Sequence, residues 1–219
     1  MKITTPHMGP ISLTAKTLLE GLGLEFVSPP PCTKRTLSLG VQYSPEFACL
    51  PLKINVGNLI EAYELGANTA LMIGGIGPCR IGYYGHVQQE ILYDAGIDLE
   101  IIILEPPNSY PMDFWRKIQR LRQVSWKKAF QAVYFAWLKT RAMDLIEEQV
   151  LLFRAKERKR GSVDALFRNA RENIEKVNRP REIKTLTKMY IEKIKSMSSV
   201  ETFDPSIKIA LVGEIYTVL

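Results

Sequence analysis

Cysteine and histidine are scarce in this sequence, which has three cysteines and two histidines among its 219 residues. A small, odd number of cysteines argues against the disulfide framework of small secreted domains, which normally pairs an even number. Neither His7 nor His86 has a second ligand at metal-binding spacing, so the sequence contains no zinc-finger pattern. This cysteine usage is typical of a reducing, cytoplasmic location.

Long apolar runs are also missing. No run reaches the roughly 20 residues that a membrane-spanning helix needs, and the first ten residues lack the apolar region of a signal peptide. Hydrophobic residues nevertheless make up 46% of the chain, which is enough for an ordinary buried core. We therefore expect a soluble protein with no membrane partner.

Charge is distributed unevenly along the chain. Residues 1–106 contain 6 Lys and Arg against 10 Asp and Glu, whereas residues 107–219 contain 23 against 13. Long exposed helices are often basic without any further role, but such asymmetry also occurs in proteins that bind an acidic partner or nucleic acid. Of those two partners, nucleic acid is the less favoured.

The first hundred residues alternate between strand and helix patterns. The predicted strands are Met1–Thr5, Leu24–Ser28, Ala70–Ile73 and Leu99–Leu104, and the predicted helices are Leu13–Gly21, Lys34–Leu39 with Gly40 ending it, Pro51–Leu65 and Tyr83–Ala95. Short, wholly apolar strands are typical of parallel sheets that are covered on both faces. We therefore predict, over residues 1–107, an α/β domain with a doubly wound, mainly parallel sheet of the flavodoxin or Rossmann type.

The second half of the sequence is predominantly helical. Apolar residues recur every three or four positions from Asp113 to about Arg160, which predicts one long helix or two in succession. Further helical stretches run from Gly161 to Val177 and from Arg181 to about Met197. Residues 108–204 are thus expected to form a long-helix hairpin or a small bundle, appended to the α/β domain or inserted into it.

The last segment, residues 205–219, begins with another apolar strand pattern from Ile207. Two interpretations remain open at this point. The strand either completes the first sheet, with the helices as an insertion, or opens a second α/β domain of a longer protein.

All three cysteines lie in loop-like contexts rich in proline and glycine. Cys32 follows three prolines after the second predicted strand, Cys79 follows the third strand, and Cys49 precedes a helix. Their spacing matches no compact cysteine motif, so spacing alone favours their interpretation as small packing residues or unreactive loop thiols. The carboxyl ends of parallel strands, however, lie at one edge of a sheet, where ligands bind. This topology therefore allows the three thiols to lie close together.

Glycines crowd the segment before Cys79, at Gly74, Gly75 and Gly77. Such glycines permit close backbone approach, either to a phosphate at the start of the following helix or to the sulfides of an iron–sulfur cluster. The sequence is neither a P-loop nor a dinucleotide fingerprint. Arg80 is positioned either to contact an anionic ligand or to serve as an ordinary surface residue.

Three segments carry a resemblance to a known family: Lys34–Leu37 (KRTL), Tyr43–Lys53 (YSPEFACLPLK) and Gly74–Tyr84 (GGIGPCRIGYY). They resemble the CoA protein activase group, which is related to the activase and dehydratase components of 2-hydroxyacyl-CoA dehydratases. The match extends over most of residues 1–107 and resumes at Leu211–Thr217. Cys49 and Cys79 match the family's cysteine motifs, whereas Cys32 lies outside the pattern.

The resemblance implies a [4Fe–4S] or related iron–sulfur cluster in a cysteine-lined cleft, in an anaerobic type of metabolism. It also implies a partner that hydrolyses ATP and delivers low-potential electrons, so the chain would be a component of an acyl-CoA dehydratase or reductase-type system, with homo-oligomers also expected. The leading hypothesis is cluster binding by Cys49 and Cys79, with Cys32 as a third candidate ligand and Gly74, Gly75, Gly77 and Arg80 shaping the pocket.

Two other hypotheses come from different classes of protein. In the first, the chain is a non-catalytic interaction module whose basic helical hairpin binds an acidic partner or nucleic acid. In the second, the glycine segment binds a nucleotide, and affinity for that nucleotide survives replacement of both Cys49 and Cys79.

Overall fold

The computed structural model describes residues 1–107, 110–197, 212, 213 and 216. Within them, four strands are present: β1 Lys2–Thr4, β2 Glu25–Phe26, β3 Thr69–Ile73 and β4 Glu100–Leu104. Eight α-helices accompany them: α1 Ile11–Gly21, α2 Lys34–Tyr43, α3 Leu50–Glu64, α4 Tyr84–Asp94, α5 Pro111–Leu121, α6 Trp126–Phe153, α7 Ser162–Lys176 and α8 Pro180–Ser196. Single 3-10 turns occupy Arg80–Tyr83 and Arg154–Lys156.

The four strands form one parallel sheet with the order β2-β1-β3-β4. Ile3 of β1 pairs with Phe26 on one side and with Thr69 on the other. The chain therefore moves outward in one direction from β1 to β2 and in the other from β3 to β4. The predicted mixed α/β class with a parallel sheet is confirmed.

Helices cover both faces of this sheet. On one face, Ala70 and Ile101 pack with apolar residues of α3 and α4, among them Leu59 and Leu92. On the other face, Ile102 packs with Ile3, with Leu19 of α1 and with Leu121 of α5. Because successive side chains of a strand point to opposite faces, burial of both faces requires the continuous apolar strands that the sequence contains.

Helix α2 continues past the glycine that was expected to end it. Gly40 is buried within α2, and a Cβ atom at this position would clash with the carbonyl oxygen of Lys53 in α3. The contact is reciprocal, since a Cβ atom on Gly57 of α3 would clash with the carbonyl oxygen of Thr36. Gly40 therefore permits backbone-to-backbone packing of two helices, and the prediction that it terminates α2 was wrong.

Polar contacts hold the same pair of helices together. The Thr33 hydroxyl caps α2, and the Thr36 hydroxyl donates to Glu61 Oε2 of α3 at 2.6 Å. Arg35 reaches Glu61 at 3.2 Å and both carboxylate oxygens of Glu64 at 2.7 Å. Glu61 is only 6% exposed, so these partners offset the cost of burying its carboxylate.

The region from Asp113 to Arg160, expected as one long helix or two, contains α5 and α6. Arg122 is extended at the end of α5, with φ −93° and ψ 103°. The next residue, Gln123, donates its backbone N–H to the carbonyl oxygen of Leu22 at 2.9 Å. Two helices rather than one are present because the connection bonds to the end of α1.

The chain divides into two compact units, with the boundary inside α6. The first unit contains the described residues of 1–132 together with 213 and 216, and the second contains 133–197 and 212. Helix α5, expected outside the α/β segment of residues 1–107, belongs with the sheet because Leu121 is buried against it. The second unit comprises most of α6 together with α7 and α8, each of which contributes buried apolar residues such as Ile146, Ile174 and Ile194. The strand pattern expected from Ile207 lies largely outside the described residues.

Among the described residues, no helix combines the length and the apolarity that a membrane span requires.

The α2–α3 contact gives a direct stability prediction. Gly40→Ala and Gly57→Ala should each lower the free energy of unfolding by about 1–3 kcal/mol, because the added Cβ meets backbone atoms that cannot rotate away. Gly77→Ala is the matched control: a Cβ there meets no atom within 4 Å, so its effect should stay within about 0.5 kcal/mol. Urea unfolding measures all three, and equal midpoints for the helix variants and the control would contradict the packing.

Candidate functional site

The loops that follow the four strands lie at the carboxyl edge of the sheet. Cys32 is in the loop after β2, and Cys79 ends the glycine segment after β3. Cys49 immediately precedes α3 at its N-cap position, and its side chain makes no capping hydrogen bond to the helix. The strand order reverses direction at β1 and β3, and in open α/β sheets this edge, at such a reversal, is where ligands bind.

Cys49 is hydrogen-bonded to a residue of the Cys79 segment. Its Sγ atom is half-buried and lies 2.6 Å from Oη of Tyr84, either atom being able to donate. Tyr84 is the first residue of α4, is 5% exposed and follows Cys79 by five positions. The contact therefore joins the start of α3 to the start of α4 at the thiol itself.

Cys79 is exposed and precedes the 3-10 turn Arg80–Tyr83. The loop around it is closed by backbone bonds: Gly75 N–H donates to the Gly82 carbonyl at 3.3 Å, and Gly82 N–H donates to the Cys79 carbonyl at 3.5 Å. A Cβ atom on Gly82 would clash with the carbonyl oxygen of Gly75. Gly82 is thus the glycine that this loop requires for its shape.

The three glycines expected to shape the pocket differ from one another. A Cβ atom on Gly74 would lie 2.8 Å from Cγ of Glu105, so packing against the end of β4 requires a glycine there. At Gly75 and Gly77 a Cβ atom would meet nothing within 4 Å, and neither has a positive φ. The fold itself does not require glycine at these two positions, and the space in front of their backbone is open. Arg80 is exposed and forms no ion pair with any described residue.

The loops that contain His7 and Cys32 are held by one buried amide. Asn58 of α3 accepts the backbone N–H of His7 at 2.6 Å and donates to the Pro30 carbonyl at 2.9 Å. Cys32 Sγ lies 4.0 Å from the His7 carbonyl oxygen. Cys32 is an exposed residue, but the protein atoms around its thiol desolvate it, and this raises the pKa of Cys32 above its ordinary value of 9.0. The Glu61 carboxylate acts in the same direction.

The described part of the chain contains no group of three or more His, Cys, Asp or Glu side chains placed to hold a metal ion. All three cysteines are among the described residues. Thiolate sulfur is the right ligand for an iron–sulfur cluster, but the structure does not bring three such ligands together. The arrangement offers two thiols, Cys49 and Cys79, on segments that Tyr84 connects.

Sequence reasoning missed several residues that shape this edge. Tyr84 and Gly82 stand at the end of the glycine segment, and their spacing from Cys79 was the available signal. Asn58 and Gln88 are amides within apolar helical patterns, and both are fully buried. Gln88 follows Tyr84 by one helical turn, and neither its side-chain nitrogen nor its oxygen has a hydrogen-bond partner among the described residues. Such a buried polar group costs stability unless a ligand or water pairs with it.

Comparison with protein families, with curated proteins and with solved structures gives no match for this chain. The family resemblance therefore stays a prediction from sequence.

The raised pKa of Cys32 predicts its reactivity. A raised pKa keeps the thiol protonated at neutral pH, so Cys32 should be alkylated more slowly in the folded chain than in urea. The difference should shrink as the pH rises through the raised pKa, when the thiolate forms in the folded state too. Glu61→Gln should increase the folded-state rate because it removes the nearby negative charge, whereas Glu64→Gln should leave it unchanged. Mass spectrometry of peptides containing Cys32 follows the reaction, and a rate independent of Glu61 would contradict this assignment.

The unpaired amide of Gln88 predicts a gain in stability on substitution. Gln88→Met keeps the length of the side chain and removes two unpaired polar atoms, so it should raise the free energy of unfolding by about 1–3 kcal/mol. Gln89→Met is the matched control, since Gln89 accepts from Ile101 N–H at 2.7 Å and donates to the Leu99 carbonyl at 3.3 Å. The control should be destabilised in urea unfolding, and the opposite ranking of the two variants would contradict the prediction.

Proposed function

We propose that this chain is an iron–sulfur-binding component of a system related to 2-hydroxyacyl-CoA dehydratases and their activases. In this proposal Cys49 and Cys79 provide two thiolate ligands at the carboxyl edge of the sheet. The residues of the glycine segment form the wall of the pocket. An ATP-hydrolysing protein of the activase type is the expected electron-donating partner.

One observation carries the proposal: the Tyr84 hydroxyl contacts the Cys49 thiol at 2.6 Å from the segment that begins with Cys79. This contact joins the start of α3, where Cys49 lies, to the start of α4, which Cys79 precedes by five residues. Buried tyrosine hydroxyls normally find a hydrogen-bond partner, and here that partner is a sulfur atom. A hydrogen bond from Tyr84 would orient the Cys49 sulfur and stabilise it as a thiolate ligand.

The fold supports the same location. The strand order 2-1-3-4 with parallel strands and helices on both faces is that of the first part of a flavodoxin-like sheet, which we propose as the finer fold class. In such sheets the cofactor binds at the carboxyl edge, near the point where the strand order reverses. Cys79 follows β3, one of the strands at that point.

The glycine segment supports a bulky ligand with polarisable acceptor atoms. Neither the φ angle nor the packing requires a glycine at positions 75 and 77. The unobstructed backbone there is best explained by a ligand that approaches it closely. Backbone N–H groups can donate to cluster sulfides only where side chains leave room. Arg80, exposed beside Cys79, would offset the negative charge of a thiolate-ligated cluster.

The number of thiols requires a second polypeptide segment. The sequence contains three cysteines, and Cys32 lies outside the resembling motif. A cubane cluster commonly has four thiolates, or three with one iron left open. The remaining ligands would therefore come from a second copy of the chain. When bound, such a cluster would transfer single electrons at low potential.

Anaerobic reconstitution with iron and sulfide tests the proposal. The wild-type chain should gain a broad absorption band near the blue end of the visible spectrum and bind about four irons per cluster. Cys49→Ser and Cys79→Ser should each remove most of this band and of the bound iron. Cys32→Ser is the matched control and should retain both.

The contradicting outcomes are equally distinct. Wild-type protein without iron-dependent absorption, or a Cys49→Ser/Cys79→Ser variant that binds as much iron as the wild type, would refute cluster binding at this edge. Nucleotide affinity that survives the same double substitution would favour the phosphate-binding alternative for the Gly74 segment. Iron per folded chain, measured with the molecular mass of the reconstituted species, tells whether two copies share one cluster.

A further inference from the structure

Helices α6 and α8 of the second unit enclose an open groove with a volume of about 680 Å³. One wall is apolar and comes from α6, where Tyr134, Trp137 and Leu145 lie on one side of the helix. The other side comes from α8, and its apolar lining residues are Ile183 and Ile191. The α6 wall, from Tyr134 to Leu145, is about 17 Å long at 1.5 Å per helical residue.

The apolar wall is unusually open to solvent. Tyr134 is 48% exposed, Trp137 is 53% exposed and Leu145 is 40% exposed. Single exposed apolar residues are common, but several side by side along a groove are typical of a binding surface. Each large side chain of this kind contributes binding energy when a partner removes it from water.

Cationic side chains also line the groove, most of them on the α8 side. Lys184, Lys188 and Lys195 line the groove from α8, and Arg141 lines it from α6, against the single acid Glu192. Glu192 lies 3.9 Å from Lys188. Lys184 and Lys195 have no carboxylate partner among the described residues, so the groove presents positive charge for which this unit provides little compensation.

We infer that this groove binds an acidic amphipathic helix of a partner protein. The apolar face of that helix packs on Tyr134, Trp137 and Leu145, and its Asp and Glu side chains pair with the lysines of α8. Binding of an amphipathic helix in a groove needs an apolar strip of several turns and a rim of complementary charge. The groove between α6 and α8 offers both.

The groove favours a helix over nucleic acid. Its floor is aliphatic, while single-stranded nucleic acid binds through open aromatic faces and several phosphate contacts. The rings of Tyr134 and Trp137 stack on each other with an interplanar angle of 26°, and the Arg141 guanidinium lies over Trp137 at 5.7 Å. These contacts leave less ring surface for bases. A second copy using the same face is also disfavoured, because both faces would carry the same net positive charge.

Two labelled helical peptides of about 16 residues, roughly 24 Å of helix, test the inference on the full chain. Both carry leucine at helical spacing on one face; one has glutamate on the flanking positions, and the other has lysine. Fluorescence anisotropy should give binding of the glutamate peptide at least about tenfold tighter than that of the lysine peptide, weakening with added salt.

Substitutions in the two walls separate their contributions. Lys184→Glu combined with Lys188→Glu should lower the affinity for the glutamate peptide by at least about tenfold and raise the affinity for the lysine peptide. Trp137→Ser should lower the affinity for the glutamate peptide by about tenfold or more, because apolar contact is lost. Lys193→Glu on α8 and Leu152→Ser on α6 lie outside the groove lining and should change its affinity by less than about twofold.

The inference is overturned if neither peptide binds, or if the charge-reversed variant binds the glutamate peptide as well as the wild type does. It is also overturned if a single-stranded oligonucleotide competes with the peptide more strongly than unlabelled peptide does. A dimer that Trp137→Ser dissociates would instead assign the groove to a second copy. Circular dichroism of each variant establishes that the helices are intact before binding is measured.

Discussion

The contact between α2 and α3 determines the geometry of the first unit. Gly40 and Gly57 let each helix backbone approach carbonyl oxygens of the other, a distance that no side chain would permit. At this separation the short Thr36 hydroxyl and the Arg35 guanidinium both reach the buried Glu61. Steric fit and polar pairing depend on each other here, because a wider gap would leave the carboxylate buried without partners.

That contact also fixes the elements that carry the thiols. Helix α3 begins at Cys49, and its other face packs on the sheet through residues such as Leu59. Asn58, on the same helix, binds the loops that follow β1 and β2, including the loop with Cys32. A shift of α3 would therefore move both Cys49 and the two loops. The position of this one helix thus determines the arrangement of the residues at the edge of the sheet.

The two units differ in the chemistry that their surfaces offer. The acidic half of the sequence contains the sheet, whose edge presents half-buried and exposed thiols beside an unobstructed backbone. The basic half contributes α6, α7 and α8, where positive side chains of α8 face an apolar wall of α6. The charge asymmetry evident in the sequence thus has a local counterpart in the groove, where lysines line the α8 side.

The sequence alone determined the α/β class, the four strands and most helices, because apolar periodicity and strand composition follow directly from burial. It also indicated loops at strand ends for Cys32 and Cys79. Only the tertiary structure decided that Gly40 is a packing residue, that Leu121 of α5 packs against the sheet and that the Tyr84 hydroxyl reaches Cys49. These three features depend on which distant segments of the chain come into contact, and a local sequence pattern does not identify the contacting segment. For example, a glycine that ends a helix and a glycine that lets two helices pack closely have the same local sequence pattern. The cysteine motifs indicated the candidate ligand residues. Only the packing determined that Cys49 and Cys79 lie on segments joined by a hydrogen bond and that the three thiols do not come together as one ligand group.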